Sequence, residues 1–101
     1  MKIPSSIKVG YRTYTVRTWD LLEADNASAW GLCDHANAII WICTEIDPKI
    51  VVATLLHEIM HAIWNYMGLD EKHGEEPIVH RIGTGLTQVF CDNPQLVQWI
   101  Q

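Results

Sequence analysis

His57, Glu58 and His61 stand in the order His-Glu-Ile-Met-His, two imidazoles four residues apart with a carboxylate beside the first. On a helix, positions i and i+4 share a face with side-chain roots about 5 to 6 Å apart, so both rings can reach one ion. Neutral imidazole suits Zn²⁺, and Glu58 is placed to act on a water polarised there rather than on the metal itself. The flanking residues predict that the motif lies mid-helix. Asp47-Pro48 reads as an N-cap followed by proline at the first helical position, and Gly68 as the C-terminal stop, giving a helix from about Pro48 to Met67. Val52, Leu55, Leu56, Ile59, Ile63 and Met67 follow the 3.6-residue period and form its apolar stripe. Ile50, Ala53, Met60 and Trp64 extend that character round the helix, leaving Thr54, Glu58, Ala62 and Asn65 on the remaining arc. Both histidines fall off the main stripe, where histidines packed only for structure are not expected.

Two histidines do not complete a zinc site, since a catalytic one takes three protein ligands and keeps one position open. The metzincin continuation needs glycine at position 64 and histidine at 67, and the chain has Trp64 and Met67 instead. Glu75 and Glu76 are the candidates, because the seven-residue connection Gly68 to Gly74 makes the next helix a neighbour of the first. On that helix Glu75 falls at the centre of the apolar face and Glu76 about 100° round, at its edge. The alternative is that both acids are solvated first-turn residues favoured by the helix dipole. His73 and His80 are weaker candidates, although His80, one turn beyond Glu76, could support a ligand or polarise substrate.

The elements that must position these groups run strands first and helices second. Ile7, Val9, Tyr11 and then Tyr14, Val16 alternate with polar residues around Gly10, which predicts a strand pair or one bent strand. Asp20 to Ala27 reads as a short helix or loop. Trp30-Gly31-Leu32-Cys33, a turn at Asp34-His35-Ala36-Asn37, and Ala38 to Cys43 read as a hairpin whose wholly apolar second arm, Ile39 to Ile42, belongs inside the sheet. After the histidine helix, Pro77 marks the first turn of another, with Ile78, Val79, Ile82, Leu86, Val89 and Phe90 as its apolar face. Asp92-Asn93-Pro94 restarts the chain, and Leu96, Val97, Trp99 and Ile100 would make a short terminal helix that closes the core. This order predicts an α+β fold: a small antiparallel sheet of about three to four strands, packed by the histidine helix and one or two more.

At 101 residues the chain is expected to be a single domain, and 49% apolar residues with five tryptophans suffice for a modest core. A net charge of −5 without any Lys/Arg cluster argues against a nucleic-acid partner. Residues 1 to 10 lack the apolar core of a signal peptide and no run reaches 18 apolar residues, so a soluble cytoplasmic protein is expected, with no membrane partner. Cys33, Cys43 and Cys91 are odd in number and show no CxxC spacing, which predicts buried free thiols rather than disulfides or a zinc ribbon. Isolated histidines such as His35 start with a low prior as ligands.

With these motifs together, namely the GLCD hairpin, LLHEIMHAIW, EEPIV and the helix ending TQVFCDNP, most of the chain resembles the small zincin-like metallopeptidases of phages and prophages, a minimal gluzincin arrangement. The resemblance implies one Zn²⁺ per chain held by His57, His61 and a glutamate of the following helix. In such sites the ligand lies at the edge of the packed face with smaller residues three and seven positions on, here Val79 and Gly83, so Glu76 is expected ahead of Glu75. Two departures are the 14 residues, 62 to 75, between His61 and Glu76, and Pro77 directly after the acidic pair. The implied activity is hydrolysis of a protein or peptide in the host cytoplasm, with Glu58 as general base and the strand around Ala29 to Cys33 as the edge along which substrate adds. Two other classes compete: a zinc-stabilised regulatory or binding module without catalysis, and a metal-free structural protein. Retention of Glu58 argues against the first, because a structural site does not need that carboxylate.

Overall fold

The computed structural model describes residues 2–69, 74–94, 97–98 and 101. It is α+β, with a four-stranded sheet and three helices: β1 Ser6–Val9, β2 Arg12–Trp19, α1 Leu21–Ala27, β3 Gly31–Asp34, β4 Ile39–Cys43, α2 Pro48–Met67 and α3 Glu75–Asp92. Spatial order in the sheet is β1-β2-β4-β3. β1 pairs with β2, and β3 with β4, in antiparallel fashion as expected.

The sheet is mixed rather than wholly antiparallel, because β2 and β4 run parallel, with Thr15 beside Ile39 and Trp19 beside Cys43. The cause is the connection: α1 and β3 intervene, so β3 returns at the sheet edge and β4 enters between it and β2. Asp20 starts α1 by accepting a hydrogen bond from the Glu23 N–H (2.8 Å), and Ser28 ends it in the left-handed region. The unbroken apolar run of β4 matches its position, since it is the strand flanked on both sides and packed on α2. Ile40 and Ile42 are wholly buried towards α2, while on the other face Trp41 stacks on Trp19 at 5.7 Å between ring centroids.

One cluster forms the core: Val9, Tyr14, Ile40 and Ile42 of the sheet against Val51 and Ala62 of α2, with Leu55 and Ile59 packed on it. The face of α2 laid on the sheet keeps Leu55 and Ile59 of the expected stripe but is otherwise rotated from it. Its buried residues are Val51, Glu58 and Ala62, whereas Ile63 and Met67 are exposed. A helix lying close on a sheet needs small or flat contacts there, and Ala62 supplies one. α3 packs mainly on α2. Its buried positions are Val79 and Gly83, and the expected apolar residues Ile78, Ile82 and Leu86 are exposed. Of the terminal segment expected to close the core, Leu96, Trp99 and Ile100 lie outside the described residues, and Val97 is exposed. Among the described residues no helix is long and apolar enough to cross a membrane.

Candidate metal centre

α2 is stopped at both ends as its sequence predicts. The Asp47 carboxylate accepts from the Lys49 N–H (2.8 Å), Pro48 opens the first turn, and Gly68 at φ 64° lets its own N–H reach the Asn65 carbonyl. These ends set the phase of a 20-residue helix whose middle carries His57, Glu58 and His61. His57 and His61 face α3, with ring centroids 4.9 Å apart. α3 packs closely there at Gly83, where a Cβ would sit in ordinary contact, 3.4 Å from Met60 Sδ and 3.8 Å from His57 Cα. The close approach brings the first turn of α3 over the two imidazoles.

Glu76 then bridges both rings. Its Oε1 lies 2.8 Å from His57 Nε2 and its Oε2 lies 2.7 Å from His61 Nε2, while the two Nε2 atoms are 3.1 Å apart. Donor atoms of the three residues all fall within 4.8 Å of one another. Tetrahedral zinc with 2.0–2.1 Å bonds sets its ligand atoms about 3.3 Å apart, so the present spacing accepts the ion after an opening of roughly half an ångström. Glu75 takes the other role. Its carboxylate is bonded to His61 Nδ1, the ring nitrogen facing away from Glu76. An acid in that position fixes the tautomer and orientation of a ligand ring. Glu75 is accordingly mostly buried, while the Glu76 side chain is 67% exposed at the cleft mouth. Of the weaker candidates, His73 lies outside the described residues. His80 is exposed, its ring 6.2 Å from that of His57, and it is not one of the three convergent groups.

Glu58, the residue after His57, points between α2 and β3. It is 7% exposed, and burial pushes its carboxyl up to about 7, with Glu76 adding to the rise and His61 opposing it. Contact with β3 is close enough to require Gly31, where a Cβ would lie 2.6 Å from Thr54 Cγ2 and 2.9 Å from Glu58 Oε2. A cleft of about 560 Å³ opens over these groups. His57, Glu58, His61 and Glu76 line one part of it, and Ala29, Trp30, Ile50 and Ala53 make another part apolar. β3, the sheet edge expected from the sequence, forms a wall through Gly31, Leu32 and Cys33.

Cys33, Cys43 and Cys91 are free thiols as expected, but only Cys43 is buried, and Cys91 is exposed on α3. Cys33 is half-buried on the cleft wall, where burial first and the Glu58 carboxylate second push its thiol up to about 12. His35, given little weight as an isolated histidine, also lines the cleft, with Nδ1 3.1 Å from the Tyr14 hydroxyl. No sequence signal pairs these two, since the β2–β4 crossover brings them together. Comparison with protein-family models, curated proteins and solved structures found no match.

Proposed function

We propose that this chain is a zinc-dependent peptidase that hydrolyses an extended peptide or unfolded protein segment lying along β3. What supports the reading is one observation: His57, His61 and Glu76 converge on a single point at the cleft while Glu58 faces the same cleft without joining them. The donor set fits zinc, with two imidazoles, one carboxylate and a side left open to the cleft, a pattern of catalytic rather than structural sites. Bound there, zinc would supply a Lewis acid for the scissile carbonyl and a water acidic enough to attack near neutral pH.

The rest is done by this chain's side chains. Glu58, buried and titrating near neutrality, accepts the proton of the attacking water and returns it to the leaving nitrogen. Glu75 holds the His61 ring in place through Nδ1. The outer edge of β3, unpaired among the described residues, offers its backbone groups to an extended peptide, and the apolar end of the cleft receives a side chain next to the reacting bond. Three free thiols accord with a reducing compartment, and action in the cytoplasm of a phage-carrying host belongs to the same proposal.

The test is elemental analysis of the purified chain together with mass-spectrometric detection of cleavage in a mixed peptide library. About one zinc per chain and cleavage are expected, and Glu58→Gln should keep the zinc while losing activity by roughly 10² or more. Zinc without cleavage would leave a metal-stabilised binding module. A chain that takes up no zinc when offered it would remove both readings.

A further inference from the structure

The cleft holds many groups that accept a hydrogen bond and few that donate one. Glu58 and Glu76 are carboxylates, His57 and His61 turn Nε2 towards Glu76, and the Thr54 hydroxyl is committed to the Ile50 carbonyl at 2.7 Å. Peptide hydrolysis nevertheless builds negative charge on the former carbonyl oxygen, and a donor fixed before the reaction stabilises it most. The lining side chains that can donate are His35, His80, the Trp30 indole and the Thr84 hydroxyl, and of these His35 is the one whose ring is bonded to a buried side chain.

Their surroundings differ. His80 is exposed on α3, and among the described residues no hydrogen bond holds its ring. His35 is half-buried in the β3–β4 turn, which is itself fixed: Asn37 donates to Asp34 through its backbone (3.1 Å) and its side-chain amide (2.9 Å). Behind the ring stands Tyr14, 1% exposed, edge-to-face at 6.3 Å between centroids, with its hydroxyl 3.1 Å from His35 Nδ1. The Arg12 guanidinium lies over the Tyr14 ring at 5.4 Å and donates to the Ala36 carbonyl at 3.4 Å. Among the described residues His35 Nδ1 is the acceptor within reach of the phenol's proton. Burial keeps both this phenol and the Cys33 thiol, 3.6 Å from the same nitrogen, in the protonated form at neutral pH. Two protonated groups therefore converge on Nδ1, and a neutral imidazole that accepts at Nδ1 carries its proton at Nε2.

We propose that His35 is a catalytic residue of this site, donating a hydrogen bond from Nε2 to the scissile carbonyl oxygen as it becomes an oxyanion, with Tyr14 and Arg12 as positioning residues. The proposal rests on the peptidase reading above. No proton leaves His35 in this step; the hydrogen bond shortens as charge develops and relaxes when the carbonyl re-forms.

The experiment uses the zinc-loaded chain, a peptide that it cleaves, and a phosphonamidate peptide of the same sequence whose tetrahedral oxygen mimics the oxyanion. His35→Ala should retain zinc and lower kcat by roughly 10² with little change in KM, the scale of losing one oxyanion donor. It should weaken the phosphonamidate by a similar factor while leaving affinity for the cleaved product peptide unchanged. His35→Gln, which keeps a side-chain N–H, should recover part of the loss, and Tyr14→Phe should show a smaller one. Independently of activity, long-range ¹⁵N–¹H correlation spectra of the metal-free chain should show His35 protonated at Nε2, and less uniformly so in Tyr14→Phe. Undiminished turnover in His35→Ala, a loss confined to His80→Ala, zinc release in His35→Ala, or an Nδ1-protonated ring would each overturn the proposal. A wild-type chain that neither binds zinc nor cleaves fails at the peptidase reading, and this proposal falls with it; a cleaving wild type with undiminished His35→Ala fails here alone.

Discussion

Adjacent acids at the start of α3 meet opposite nitrogens of one imidazole: Glu76 reaches His61 Nε2 and Glu75 its Nδ1. Sequence geometry could rank the pair but had no means to assign a separate task to each, because the task of Glu75 exists only once α3 lies on α2. The difference is measurable. Dipole interaction alone would make a first-turn acid worth about 0.3 to 1 kcal/mol, whereas an acid that orients a ligand ring changes metal affinity by about 10- to 100-fold. Competitive zinc titration should therefore rank Glu76→Ala as the most damaged, beyond that range, and Glu75→Ala within it; the reverse order would make Glu75 the ligand. Glu58 has a signature of its own in the metal-free chain. Its folded pKa of about 7 lies above the ordinary 4.5, so the fold favours the neutral acid. Below pH 4.5 both states are protonated and nothing is lost. Between 4.5 and 7 the unfolded chain releases its proton first, stability falls as pH rises, and above 7 the loss is complete, of order 3 kcal/mol. Urea unfolding of the metal-free wild type and of Glu58→Gln should diverge across that window in favour of Gln, and parallel profiles would refute the buried carboxylate.

At the scale of elements, what could be foreseen follows from local chemistry. Asp47, Pro48 and Gly68 delimit α2 by capping and backbone preference alone, and the apolar run of β4 marks it as an inner strand. The histidine spacing is likewise local. What escaped is set by partners distant in sequence: the parallel β2–β4 pairing depends on how β3 returns, and the burial of Glu58 depends on Gly31 of β3. The apolar stripe holds only in part: Leu55 and Ile59 pack on the core, while Ile63 and Met67 are exposed. Val51, Glu58 and Ala62 are the buried positions, because close helix-to-sheet contact selects for shape as well as hydrophobicity. Gly83 tests the link between packing and site without altering a ligand side chain. Gly83→Ala adds a methyl at ordinary contact distance and should keep zinc affinity while gaining helix propensity of up to about 1 kcal/mol. Gly83→Leu should push α3 off His57 and weaken zinc binding at least tenfold, measured by the same titration. Equal affinities in the two variants would show that the approach of α3 does not position Glu76.

The molecule as a whole is a sheet and α2 sharing one core, with α3 attached through α2 and contributing Val79 and Gly83 as its buried positions. None of the described α3 residues belongs to the core cluster, and in the metal-free chain the first turn of α3 is tied to α2 by the bonds from Glu75 and Glu76 to the histidines. A metal with ligands from both helices would join this outer helix to the one that shares the core. Stabilisation by a ligand that binds only the folded state is RT ln(1 + [L]/Kd), about 4 kcal/mol at 1,000 times Kd. That gain should not be spread evenly, because local opening of α3 breaks the site while leaving the sheet intact. Hydrogen exchange followed by mass spectrometry, with and without a strong chelator, distinguishes the possibilities. Removing zinc should raise exchange chiefly in α3 and the central turns of α2, lower the thermal midpoint, and leave β2 and β4 protected. A uniform rise over all elements would mean that the metal holds the core itself, and no change in α3 would mean that its hold on α2 does not depend on the site.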